Sequence, residues 1–202
     1  MTDRLPATDA GVTRAAAILR DGGLVAFPTD TVYGVAVARS RADRLECLFA
    51  LKARPVERRI PVLVGSLADV EAAGFVVDER LRALADRWWP GPLSVVLAPA
   101  DGGETVAFRV PDHPLALALI AAAGPLLATS ANVSDQPDTL GADEVLIAFA
   151  TRQDELDAVL DGGAVPGGVP STVVDLSATP ARILRHGPVS AEQLAAVIAV
   201  AG

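Results

Sequence analysis

Lys52-Ala53-Arg54 and Ser130-Ala131-Asn132 each set two polar side chains at spacing two. One pair carries two positive charges, the other a hydroxyl and an amide. On extended backbone this spacing puts both side chains on one face, whereas on a helix they diverge by roughly 200°. Pro55 biases Arg54 toward extended backbone, which predicts a strand-like geometry for the first pair. Lysine is a mobile point charge and arginine a planar fork for two oxygens, so the pair suits phosphate. A solvated basic face is the other reading of the run Lys52, Arg54, Arg58, Arg59. With the hydroxyl and amide of Ser130 and Asn132, the two elements suit an anionic, phosphate-rich ligand.

Other polar groups gather beside apolar runs. Thr29, Asp30, Thr31 and Tyr33 crowd ahead of Gly34, either as ordinary turn chemistry or as a ligand loop. Arg109 sits inside the apolar run Thr105 to Val110. Facing inward it needs an anionic partner; facing outward it is an edge-strand surface residue. Ser130 and Ser134 follow one apolar run, and Ser171 and Thr172 stand at the mouth of another. Arg185, just before His186-Gly187, can bring a further cation to the same rim. Trp88-Trp89-Pro90-Gly91-Pro92 reads as a structural helix end.

These side chains need a scaffold, and 202 residues suit one compact domain, 1–202. Apolar residues make up 51% and aromatics 4%, so Ala, Val, Leu and Ile build the core. A net charge of −8 argues against broad nucleic-acid binding, which depends on phosphate neutralisation. The single cysteine, Cys47, reads as a core residue, and no His/Cys cluster has metal-site spacing. The first residues lack the apolar run of a signal peptide, and Pro111, Asp112, His113 and Pro114 interrupt the longest apolar stretch. The expectation is a cytoplasmic protein that does not enter membranes.

Helical patterns cover Thr13–Arg20, Ala42–Leu51, Leu67–Ala73, Glu79–Trp88, Leu115–Ala123, Ala142–Ala150 and Ala191–Val200. Ser190 and Gln193 form a capping box for the last. Strands are predicted over Leu24–Phe27, Val32–Ala38, Pro61–Val64, Leu93–Leu97, Thr105–Val110, Leu126–Thr129, Ala158–Leu160, Val173–Leu176 and Ala181–Leu184. The Gly/Pro-rich segment Gly162–Pro170 is a loop within the domain that could close over a ligand. Helices alternate with strands while some neighbours look hairpin-connected. The pattern predicts an α/β (α+β) domain: an open, twisted, mixed parallel and antiparallel sheet with flanking helices.

The ordered series PTDTVYG, KARP, PGPLS, RVPDHP, TSANVS, PSTVVD and ILRHG, from about Gly22 to Gly187, resembles the threonylcarbamoyl-AMP synthase (YrdC-like) family. The resemblance implies a concave cationic cavity. It also implies ligation of L-threonine, bicarbonate and ATP, with Mg²⁺, into threonylcarbamoyl-adenylate and pyrophosphate. The adenylate would feed tRNA threonylcarbamoyladenosine synthesis through partner transfer proteins, with tRNA contacted weakly or indirectly.

By carry-over, Lys52 and Arg54 are the catalytic pair, and Lys52, Arg54, Arg58, Ser130, Asn132, Ser171 and Arg185 bind ATP. Thr29, Thr31, Tyr33, Arg109 and Ser171 bind threonine, and no resident metal ligands are implied. Ser94, Arg59-Ile60 and Asp135 depart from the family pattern; Asp135 stands where glycine is usual, and aspartate tolerates a left-handed backbone but adds negative charge near the implied phosphate site. The resemblance is to the short form, without the extra C-terminal domain of longer members. A non-catalytic RNA-binding or ribosome-assembly factor is the alternative of a different class, and a paralogue with another carbamoyl-type substrate is a third.

Overall fold

A computed structural model describes residues 2–53 and 60–201. Among them ten strands form one mixed sheet: β1 (Asp3–Pro6), β2 (Val25–Phe27), β3 (Gly34–Ala38), β4 (Val62–Leu63), β5 (Leu93–Leu97), β6 (Val106–Arg109), β7 (Leu126–Ser130), β8 (Ala158–Asp161), β9 (Thr172–Asp175) and β10 (Arg182–Arg185). Their order is β1-β8-β2-β3-β7-β4-β6-β5-β9-β10. The pairs β1/β8, β2/β8, β4/β6 and β5/β9 are parallel, and the rest antiparallel. The expected mixed sheet is present.

Among the described residues seven α-helices flank the sheet: α1 (Asp9–Arg20), α2 (Leu45–Lys52), α3 (Leu67–Ala72), α4 (Glu79–Trp88), α5 (Pro114–Ala123), α6 (Ala142–Ala148) and α7 (Ala191–Ala195). Their starts follow from side chains that satisfy the orphan amides of a first turn. Thr8 accepts from Gly11 N and Asp78 from Leu81 N, and Ser190 and Gln193 make the anticipated capping box. Cys47 is half-buried against an apolar cluster.

The cores explain where a cavity can form. Alternate residues of a strand point to opposite faces. On one face, α2 and α6 bury Leu48, Leu51 and Val145 against Val35 and Val159, while α3, α4 and α7 bury Val70, Leu81, Leu84 and Leu194 against Val95, Phe108 and Val174. On the other, α1 and α5 cover only the β8-β2-β3-β7 side, through Ala15, Leu19 and Leu119 on Phe27, Ala36 and Leu160. The cavity occupies the part of that face beside β4, β6, β5, β9 and β10.

Two sequence expectations are corrected, and one strand carries no sequence signal. Lys52 ends α2 and Ala53 is left-handed, φ 49°, so Lys52 does not lie on extended backbone. The apolar stripe of Leu48 and Leu51 continues the helix, and the restriction from Pro55 acts only on Arg54, which lies outside the described residues. The last helix stops at Ala195 because Ala199 O and Ala201 N pair with the backbone of Ala181. β1 carries no alternating apolar signal; the edge of β8 supplies its pairing.

Phe108 is fully buried behind the cavity wall and meets Phe75 edge-on, with centroids 4.8 Å apart. Phe108→Ala should cost about 3–5 kcal/mol of stability in denaturant unfolding.

Candidate active site

The open part of the sheet holds a cavity of about 540 Å³. Strand alternation sets its chemistry. Leu93, Val95 and Phe108 go to the core, whereas Ser94, Val96, Ala107 and Arg109 face the cavity. Gly34, Ala107 and Ala128 keep the floor shallow-walled and apolar, and Val173 and Leu184 extend it to the sheet edge.

At one end lies the 28–33 loop between β2 and β3. Arg109 faces inward and is only 6% exposed. Its Nε donates to Gly91 O at 2.9 Å, its Nη1 to Thr31 Oγ1 at 3.1 Å and its Nη2 to Asp30 Oδ1 at 2.5 Å. Burial pulls the Arg109 pKa below its ordinary value, Asp30 opposes that, and the charge of Arg185 adds to it.

The hydroxyls of this loop have a definite polarity. Thr29 Oγ1 donates its one proton to Val32 O at 2.7 Å, so in its 3.1 Å contact with Thr31 Oγ1 it must accept. Thr31 therefore donates to Thr29 while accepting from Arg109. Thr31 has no second proton and offers the cavity only an acceptor.

The far end is polarised the other way. Arg185 Nε and Nη2 donate to Ser171 O and Oγ at 3.0 and 3.1 Å, and Ser171 Oγ lies 2.9 Å from Ser94 Oγ. The two hydroxyls carry two protons and one joins them, leaving the other for an acceptor in the cavity. Burial lowers the Arg185 pKa, opposed by Asp138, which also lines the cavity. A partly shielded guanidinium beside a spare hydroxyl proton suits an anion.

Ser130 lines the third side, at the end of β7. Lys52, 2% exposed, donates to Ser130 O and, at 3.1 Å, to Asn132 Oδ1, while Ser130 Oγ donates to Asn132 Oδ1 at 2.7 Å. Asn132 Nδ2 donates to Gln136 O at 2.5 Å, in a turn where Asp135 is left-handed, φ 63°. The two spacing-two elements thus meet, through Lys52 rather than through matched strands.

Of the residues singled out from the sequence, Thr29, Thr31, Arg109, Ser130, Ser171 and Arg185 line the cavity; Lys52 and Asn132 sit behind Ser130. Arg54 and Arg58 lie outside the described residues. Tyr33 is fully buried and not on the cavity wall. Its hydroxyl donates to Gly163 O at 2.7 Å and accepts from Gly162 N at 3.1 Å, pinning the Gly162–Pro170 loop. That loop is held again at Gly168 N, which donates to Thr31 O at 3.2 Å; a Cβ on Gly167 would overlap the Thr31 carbonyl. Asp30 stood out only as part of a polar loop and Ser94 only as a departure from the family pattern, while Asp138 carries no sequence signal for its place. Trp89 is structural, its Nε1 donating to Leu93 O at 2.7 Å.

Residues 17–187 match the Sua5/YciO/YrdC family model, whose description reads telomere recombination. The chain belongs to the Sua5/YciO/YrdC family. Threonylcarbamoyl-AMP synthase of Bacillus subtilis is 36% identical over 208 residues, covering 98% of this chain and 59% of the relative. The Pyrococcus abyssi enzyme of the same name is 36% identical over 193 residues, covering 91% and 56%. This Sua5/YciO/YrdC chain therefore spans somewhat over half the length of these curated relatives. The crystal structure of Pyrococcus abyssi Sua5 complexed with L-threonine superposes with a TM-score of 0.89 at 32% identity, over all of this chain and 62% of that one.

Tyr33→Phe leaves the Gly162 amide and Gly163 carbonyl without this partner and should cost about 1–2 kcal/mol in thermal or denaturant unfolding. His113 caps α5, its Nδ1 accepting from Leu115 N at 3.3 Å, which requires neutral imidazole. Burial holds its pKa below the ordinary 6.5, against the opposing charges of Asp30 and Asp112. The unfolded chain thus binds this proton more readily, so the His113 contribution is complete above about pH 6.5 and is lost as pH falls through the folded pKa. Melting temperatures across that window should fall less steeply on acidification for His113→Asn than for the native chain.

Proposed function

We propose that this chain carries threonylcarbamoyl-AMP synthase activity, a nucleotidyl transfer that joins L-threonine, bicarbonate and ATP into threonylcarbamoyl-adenylate and releases pyrophosphate. The observation that carries this reading is the opposite polarity of the two cavity ends. Arg109 with acceptor-only Thr31 suits an amino acid, whose carboxylate takes the guanidinium and whose N–H or O–H groups need an acceptor. Arg185, Ser171 and Ser94 offer donors to an anion. The names of the relatives and the threonine complex of Pyrococcus abyssi Sua5 support the same assignment.

The chemistry asks for no protein nucleophile. The threonine nitrogen bonds to the bicarbonate carbon and water leaves, giving a carbamate. A carbamate oxygen then attacks the α-phosphorus, and the bond to the β-phosphate oxygen breaks to release pyrophosphate. The protein's work is to hold three reactants in line and stabilise negative charge.

Lys52 and Arg54 take the catalytic role in this reading, with Arg58, Ser130, Asn132, Ser171 and Arg185 around the nucleotide phosphates. Thr29, Thr31, Arg109 and Ser171 hold threonine, while Tyr33 fixes the loop over them. Mg²⁺ would enter with the triphosphate and keep most of its waters; the described residues hold no group of three or more His, Cys, Asp or Glu suited to a metal. Transfer of the adenylate's threonylcarbamoyl group to tRNA falls to partner proteins, in keeping with a net charge of −8. A cytoplasmic location fits this role, and among the described residues no helix is long and apolar enough to cross a membrane.

With ATP, Mg²⁺ and bicarbonate, pyrophosphate release should depend on L-threonine and accompany the adenylate mass. Lys52→Ala and Arg109→Ala should each lower kcat/KM by about 100-fold or more. Threonine-independent release, or full activity in both variants, overturns the assignment; salt-sensitive RNA binding without ATP turnover would favour an RNA-binding factor.

A further inference from the structure

We propose that Asp30 is the positioning residue for the amino-acid end of the cavity: it holds the Arg109 guanidinium in one orientation and thereby directs its two uncommitted N–H groups toward a ligand carboxylate. This rests on the function proposed above. Asp30 does not line the cavity.

The inference follows from counting protons. A guanidinium has five N–H groups. Three of those on Arg109 are committed, to Gly91 O, Thr31 Oγ1 and Asp30 Oδ1, from two separate segments of chain. The remaining two N–H groups, one on each Nη, are left for a ligand carboxylate. Among the described residues Nη2 is fixed only by Asp30, whose Oδ1 also accepts from Asp112 N at 3.1 Å and is thus tied to the segment following β6.

Removing the carboxylate frees the Nη2 end, and the guanidinium can turn about its Nε bond to Gly91. Thr31 keeps the polarity that Thr29 sets, but its Oγ1 loses the Arg109 donor that ties it to the guanidinium, and the two uncommitted N–H groups no longer hold one direction. Charge adds to the effect. The Asp30–Arg109 pair is neutral as a unit, with side chains 13% and 8% exposed, so a threonine carboxylate meets two directed N–H groups rather than a bare buried cation.

The test compares Asp30→Ala and Asp30→Asn in threonine-dependent pyrophosphate release. An asparagine oxygen can still accept from Arg109 and from Asp112 N, so it retains the geometry without the charge. Asp30→Ala should raise the KM for L-threonine by about tenfold or more and leave the KM for ATP within about twofold. Asp30→Asn should recover most of that loss. A second readout is independent of activity: the Arg109 Nε–H NMR signal, sharp and slowly exchanging when bonded to Gly91 O, should broaden or vanish in Asp30→Ala and persist in Asp30→Asn.

An unchanged threonine KM, an equal rise in both KM values, or an asparagine variant as impaired as alanine overturns the proposal. If the native protein shows no threonine-dependent release, the proposed function fails instead. The NMR comparison still decides the positioning role, which a persistent Arg109 signal in Asp30→Ala overturns.

Discussion

Arg109 brings a full charge into a nearly dry part of the protein, and the cost of doing so organises much of what surrounds it. A buried ion without a partner is expensive by several kcal/mol, and a paired one is tolerated only when its remaining hydrogen bonds are met. Asp30 supplies the countercharge, Gly91 and Thr31 take two more donors, and Asp112 N holds Asp30 in turn. The loop between β2 and β3, the turn before β5 and the segment after β6 are therefore tied to one side chain. Because that side chain also lines the cavity, the network that relieves its burial shapes the ligand site.

The sheet makes such a site possible by being covered unevenly. One face is sealed from end to end by α2, α6, α3, α4 and α7, and the other only where α1 and α5 lie. Where no helix sits, alternate residues of β4 to β10 need not be apolar. Ser94, Arg109 and Arg185 can stand there while Val95 and Phe108, one residue away, remain in the core. The same strands stabilise the fold through one face and present chemistry through the other. Hydroxyl polarity then separates the cavity into one end where Thr31 accepts and another where the Ser94–Ser171 pair has a proton to donate.

Much of the fold was legible in the sequence. The bounds of α4 and β5 follow directly from an apolar stripe stopped by Pro90-Gly91-Pro92 and from an apolar run interrupted only by Ser94. The inward course of Arg109 was left open, because alternation alone does not say which face of a strand is wet. β1 was invisible, since four mostly exposed residues carry no periodicity and borrow their pairing from β8. The last helix read too long because Val197, Ile198 and Val200 continue a helical stripe, while backbone pairing with Ala181 takes the chain elsewhere.

By itself the sequence determined the mixed sheet, the composition of the core and the family-like series of motifs, since these depend on periodicity and on residue types at short spacing. It also placed Ser130 and Asn132 on one side of the chain, where their side chains are bonded. Only the tertiary structure decided that Lys52 reaches them from a helix end, that Tyr33 serves the glycine loop, and that Asp30 is the partner of Arg109. Those pairings join residues up to 130 positions apart. Burial selects them: a desolvated donor must find an acceptor, and which one lies within reach depends on how the chain has folded.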